Sequence, residues 1–272
     1  MAGLTRESPD RPAAPTAREP AQPASYRALR AAVRGLAPAI SVIALAAAWE
    51  LVARSGAVTP FMLPALSAVI ERIWHDLVAG DLPINTAVTL YRALAGFLIG
   101  AVAGIALGVA VSRNGLAHWF FDPIISAGFP MPKIAFLPVV ILWLGVYDLS
   151  KISMVAVEAI FPVVTATIVG IRGVERELLW QIAFPAALPQ IITGLQVALP
   201  IALIVAIVTE MYMGGYGLGG AMNTASRFAD SRGVFAGIVE IAVIGYAMVK
   251  GVSMARRRLL LWHQEAVAPS TV

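Results

Sequence analysis

"RGVERELLWQIAFPAALPQI", residues 172–191, places Arg172, Glu175, Arg176, Glu177 and the prolines 185 and 189 between two long apolar runs. A segment this polar cannot share the surroundings of its neighbours. The flanking runs, residues 152–171 and 190–212, are each about as long as a helix needs to cross a hydrocarbon core, roughly 20 residues. The stretch therefore reads as a loop at a membrane surface, in an integral membrane protein. Composition agrees: 59% of the 272 residues are hydrophobic and 13% are charged, against about 25% charged in soluble domains. With a mean hydropathy of +0.80, the chain would present large apolar patches to water.

Four more spans fit the same length rule. They are residues 36–53, "LAPAISVIALAAAWELVA", residues 88–112, an interrupted run at 119–147, and residues 234–255. The predicted fold is all-α, with about six transmembrane helices in residues 35–263. Residues 1–34, rich in Pro, Ala, Arg and Glu, read as a disordered tail that cannot bury a core, without the early apolar run of a signal peptide. Residues 264–272 form a second short tail. An even number of spans returns both termini to one side. Arg6, Arg11, Arg18, Arg27, Arg30 and Arg34, with Arg256, Arg257 and Arg258, predict that this side is cytoplasmic. Arg113, Arg172 and Arg176 fall on that side too. Arg54, Arg72, Lys151, Arg227 and Arg232 fall on the other, mostly balanced by Glu71, Asp76, Asp81, Asp148 and Asp230. The quoted stretch is then a cytoplasmic loop between spans four and five. Basic clusters that flank apolar spans report topology, not nucleic-acid binding.

Enzyme chemistry is not visible. There is no cysteine, so no disulfide or thiolate metal site is expected. His75, His118 and His263 lie in separate segments, and no HExxH, GxSxG or P-loop pattern occurs. The chain is expected to bind no metal or cofactor itself.

Several features suit a transport pathway. Gly96, Gly100, Gly104 and Gly108 recur every fourth residue, giving one bare helical strip that admits a neighbouring helix closely. The strip serves either plain bundle packing or a surface that slides. "FPMPKIAFLP", residues 129–138, interrupts span three with Pro130, Pro132 and Pro138. Each proline removes a backbone donor, and freed carbonyls at membrane depth are tolerated only against protein or a wet cavity. Lys133 sits in this break. It either lines a pathway or lies near the cytoplasmic end and snorkels to the interface. Intramembrane carboxylates are functional candidates by default. Glu158 lies near the middle of span four and Glu240 within span six. Glu50 and Glu210 lie near outer ends, where both are expected to reach the interface. Between spans one and two, Leu66, Val69, Ile70, Ile73, Trp74 and Leu77 share one helical face and Glu71, Arg72, His75 and Asp76 the other. That fits a helix in the outer interface or one packed on the bundle. "MGGYGLGGAMNTASRF", residues 213–228, reads as a flexible or tightly turned outer loop.

In combination these pieces resemble the membrane permease subunit of binding-protein-dependent ABC importers, in the nitrate, sulfonate and taurine branch. The resemblance runs from about residue 48 to 263. It rests on "WEL" (49–51), "DPIISAGFPMPKIAFLPVVILWLG" (122–145), "FPVVTATIVGIRGV" (161–174), "FPAALPQIITGLQVAL" (184–199), "TEM" (209–211) and "GYGLGG" (215–220). It implies a type I importer permease-like bundle in a bacterial inner membrane and a second permease subunit, expected as a homodimer of this chain, with a pair of different permeases the alternative. It also implies separate ATPase subunits that use the ATP, and an extracytoplasmic solute-binding protein. The coupling loop toward the ATPase would comprise Glu175, Arg176, Glu177, Leu178, Leu179, Trp180, Pro185, Ala186, Ala187, Pro189 and Gly194. Lys133, Glu158, Pro130 and Pro132 are the pathway candidates. One departure stands out. The family pattern between the "GV" after span four and the proline-spaced motif is shortened here by roughly fifteen residues, about four helical turns.

Two other classes compete. A stand-alone transporter coupling ions through Glu158 or Lys133 predicts internal repeats, and none is convincing between residues 36–145 and 150–255. A membrane enzyme predicts a nucleophile–base or metal constellation, and none is visible.

Overall fold

A computed structural model describes residues 24–172 and 184–259, and every regular element among them is helical. The chain divides into two units, residues 1–51 and 52–272. The first carries most of helix α1, Ala24–Arg54, which contains the expected span 36–53. Helix α1 begins inside the stretch expected to be disordered. Between Ala24 and Arg34 the sequence interleaves Ala, Leu and Arg, all strong helix formers, and this local preference prevails over the polar composition.

The second unit is built on α3 (Leu82–Arg113) and α6 (Asp148–Ile171). The two run parallel: Gly96 faces Ile152 and Val155, Gly100 faces Ala156 and Ala159, Gly104 faces Ile160 and Val163, and Gly108 faces Val164 and Thr167. A Cβ on any of the four would stand within 3 Å of a backbone or side-chain atom of α6, so the bare strip is what allows this approach. Helix α7 (Phe184–Met213) lies antiparallel to α6, with Gly170 against Ala187 and Gly194 against Pro162 and Ala166. Helix α9 (Ser231–Leu259) returns antiparallel to α7, with Gly245 against Leu203 and Arg256 bonded to Gln196 at 2.9 Å.

Because α3 and α6 point the same way, the chain between them must cross the bundle. It does so as α4 (Gly115–Gly128), a 3-10 turn (Lys133–Phe136) and α5 (Leu137–Leu144). The two halves are bent by 94°. Asn114 ends α3 in an extended conformation, and its side chain accepts the Leu116 N–H at 2.9 Å to start α4. Gly145, at φ 73°, ends α5. Among the described residues, four unbroken helices are long and apolar enough to cross a membrane, and the bent pair makes a fifth span. Apolar side chains such as Leu98, Val102, Leu142 and Trp143 point outward, as they do when the surrounding solvent is hydrocarbon.

The second unit thus has two unlike ends. One gathers Arg113, Arg172, Arg256 and Arg258 and is called the basic end here. The other holds the starts of α3 and α6, the end of α7 and the glycine turn 214–217. Helices α2 (Leu66–Val78) and α8 (Leu218–Arg227) belong to this glycine end. In α2 only Val69 of the expected apolar face is fully buried, while Ile70, Trp74 and Leu77 are exposed.

Candidate functional site

At the break in the crossing span, Lys133 Nζ lies 3.2 Å from Glu158 Oε2 and donates to the Met131 carbonyl at 3.2 Å. It also sits 4.4 Å from the centre of the Phe161 ring, a cation–π distance. Gly128 makes room for that ring, since a Cβ there would collide with it. Lys133 is 5% exposed, so it does not snorkel. Its partner stands mid-helix: at 1.5 Å per residue, Glu158 is about 15 Å from the start of α6 and about 20 Å from its end. The sequence candidates Lys133 and Glu158 are therefore brought together, with Pro130 and Pro132 forming the exposed turn that leads into Lys133.

A second buried ionic cluster was not singled out from the sequence. Arg92 Nη1 donates to Glu210 Oε1 at 2.8 Å and to the Tyr216 carbonyl at 2.6 Å, while its Nε bonds Asp148 Oδ1 at 2.8 Å. Thr89 Oγ1 and the Gly219 N–H donate to Glu210 Oε2 at 2.8 and 3.1 Å. Asn85 Oδ1 accepts the Gly217 N–H at 2.9 Å, and Thr89 Oγ1 accepts the Leu218 N–H at 2.9 Å. Glu210, expected to reach the interface, is instead completely buried, because α8 and its glycine turn fold over it. Lys151, assigned to an outer loop, is also buried, in the first turn of α6, where Nζ donates to the Gly214 carbonyl at 2.7 Å. The turn is tight. Gly214, Gly215 and Gly217 have φ of 72°, 87° and 128°, values that favour glycine. A Cβ on Gly217 would strike the Glu210 carboxylate. A sequence signal for the cluster existed. Asn85, Thr89 and Arg92 continue the strip of Gly96 to Gly108 at steps of three and four, so they share its buried face.

Beside this cluster lies a cavity of about 660 Å³, lined by Arg72, Asp81, Asn85, Tyr216, Asp230 and Glu240 among others. Arg72 spans Asp76 (2.8 Å) and Asp230 (2.6 Å), tying α2 to the turn before α9. Burial pushes the Asp230 carboxyl up, but the Gly233 N–H and Arg72 outweigh it and hold the group below its ordinary range. Burial likewise pulls Arg72 down, and its two carboxylate partners leave it raised.

At the basic end, Glu175, Arg176, Glu177, Leu178, Leu179 and Trp180 lie outside the described residues. Pro185 and Ala186 are exposed and Pro189 is half-buried. Ala187 and Gly194 belong instead to the seam between α6 and α7 and offer no free surface to a partner.

A parallel glycine-seamed helix pair, a crossing span broken at a buried ion pair, and one basic end describe a polytopic membrane transport subunit. The chain belongs to the family described as binding-protein-dependent transport system inner membrane component, which matches residues 96–258. It is 31% identical to the putative aliphatic sulfonates transport permease protein of Bacillus subtilis, over 84% of this chain and 86% of that one. It is 27% identical to the taurine transport system permease protein of Escherichia coli, over 80% and 86%. It is also 27% identical to the riboflavin transport system permease protein of Chloroflexus aurantiacus, over 82% and 88%. The first match runs over 241 residues yet uses 84% of 272, about 228, which leaves about 13 positions without a residue here. The second runs over 236 and uses 80%, about 218, which leaves about 18.

Proposed function

We propose that this chain is the pathway-forming permease subunit of an ATP-driven importer for a small solute of the nitrate, sulfonate or taurine type. The observation that carries the reading is the α6–α7 hairpin. Its helices are zipped by small residues up to the basic end, and the exposed Pro185 and Ala186 follow directly on the link between them. That is where the family resemblance places the contact with an ATPase. On the positive-inside rule the basic end, and with it both termini, is cytoplasmic. The glycine end then meets the extracytoplasmic solute-binding protein. ATP is used by a separate subunit, and a second copy of this chain completes the pathway.

We further propose that ATPase engagement is weakened. Between the described parts of α6 and α7 the sequence holds residues 172–183. The departure from the family pattern read in the sequence falls in this segment. The test is purification from native membranes with associated proteins identified, followed by ATP hydrolysis in liposomes. Recovery of an ATPase and a solute-binding protein is expected, with sub-stoichiometric ATPase. Full stoichiometry with solute-stimulated hydrolysis would refute the weakened coupling. Ion-gradient-driven uptake by the chain alone would replace the importer reading with that of a secondary transporter.

A further inference from the structure

The break in the crossing span poses a solvation problem. Phe129 and Met131 are 53% and 42% exposed, and Pro130 and Pro132 are exposed as well. This non-helical turn leads directly into Lys133, whose partner Glu158 stands about 15–20 Å from either end of α6. The turn therefore lies deep in the bilayer's hydrocarbon, about 30 Å thick. The Met131 N–H and the carbonyls of Phe129 and Pro130 find no backbone partner among the described residues. Irregular backbone at such depth is tolerated only where protein covers it or water reaches it. Behind the turn lies a pair of opposite charges, Lys133 and Glu158; the Glu158 side chain is 23% exposed against 6%, while its Oε2, 3.2 Å from the ammonium, is buried and has no hydrogen-bond partner.

We infer that the turn 129–132 is a water-facing wall of the pathway, and that the Lys133–Glu158 pair behind it selects the ionic form of the solute. The inference rests on the permease reading for calling that water a pathway. The pair presents one positive and one negative group with no net charge. A bare anion approaching Lys133 meets the Glu158 carboxylate at the same place. A bare cation approaching Glu158 meets the ammonium. A small solute that carries both an anionic and a cationic group satisfies each member of the pair in turn and leaves no buried charge unpaired. The pair thus favours a zwitterion over a simple anion of the same size.

The chain contains no cysteine, so a single Met131→Cys substitution in the full-length protein gives one reporter thiol. In permeabilised membranes it should react with impermeant methanethiosulfonates bearing either a sulfonate or a trimethylammonium group. Labelling by neutral maleimide alone would show that the turn faces lipid or a protein partner, and would overturn the inference. Added Lys133→Gln should shift the anionic-to-cationic rate ratio downward, and Glu158→Gln upward. Each ratio should shift roughly tenfold, since one unit charge about 6 Å away in water changes the two rates by about threefold in opposite directions. A ratio moved by neither change would remove the pair from the selection. If Lys133→Gln does not fold, Glu158→Gln, at the more open position, carries the comparison alone. Millimolar 2-aminoethanesulfonate should slow labelling more than ethanesulfonate does, and equal protection would overturn the solute assignment. None of these readouts needs ATP or uptake, so their failure is separable from failure of the importer reading.

Discussion

Two buried ion pairs in this molecule have the same formal charge and opposite surroundings. Arg92–Glu210 is closed over. Both Glu210 oxygens are bonded, Arg92 bonds two carboxylates and a carbonyl, and the donors come from α3 and the start of α8. Lys133–Glu158 is sparse, with one ionic contact, one carbonyl and one ring for the lysine. A fully bonded pair fixes geometry, because any movement breaks several bonds together. A sparse pair can exchange partners at small cost. The contrast separates a fastening of the glycine end from a contact that solute can use.

The contrast is broken most severely at Arg92. Arg92→Leu strands the buried Glu210 charge, and its expected cost is about 3–5 kcal/mol. A large drop in the unfolding temperature in detergent should show this, with the Arg92→Leu/Glu210→Leu double variant recovering much of it. If the single variant unfolds like the native chain, the fastening role is wrong. Lys133→Met should cost less, about 1.5–3 kcal/mol, the value of a hydrogen bond to a charged group. A loss equal to that at Arg92 would erase the distinction between the pairs. Gly100→Ala should cost about 1 kcal/mol by overpacking, since the new carbon would lie 2.6 Å from the Ala156 carbonyl oxygen and 2.7 Å from Ala159 Cβ. An unchanged transition would mean that α3 and α6 yield without strain.

The smallest effect is a pH dependence at the Arg72–Asp230 tie. The folded carboxyl is held below its ordinary value. Its stabilisation is therefore present above the ordinary carboxylate range and is lost as pH falls through the lowered folded value. Both side chains are about one-third exposed, so the contribution should stay below about 1 kcal/mol. Asp230→Asn should lower the unfolding temperature slightly at pH 7 and not at all in strong acid. A deficit that persists in acid would assign the effect to packing.

Much of this was legible in the sequence because lipid leaves a coarse imprint. Long apolar runs and proline breaks gave the spans and the broken crossing, and the arginines Arg113, Arg172, Arg256 and Arg258 do gather at one end of the bundle. The face formed by Gly96 to Gly108 was readable for the same reason, since a four-residue repeat marks one side of a helix. What escaped was long-range polar pairing. Arg92 and Glu210 lie far apart in sequence, each near a span end where an interfacial position is the default. Nothing local says that the glycine turn will fold back and bury both. The residues Asn85, Thr89 and Arg92 were on the glycine face all along, but their polarity hid their membership of it.

The seam between α3 and α6 also has a mechanical grain. Near the glycine end, pulling the helices apart breaks the Arg92–Asp148 bond. Toward the basic end, at Gly104 and Gly108, the facing atoms are a bare backbone and the side chains of Val163 and Thr167, whose contacts are individually worth only about 0.1–0.2 kcal/mol. Two rods riveted at one end and packed through the buried Val111, Val164 and Ile168 at the other behave as tongs whose two ends are held by different means, directional bonds at the glycine turn and close packing toward the arginines.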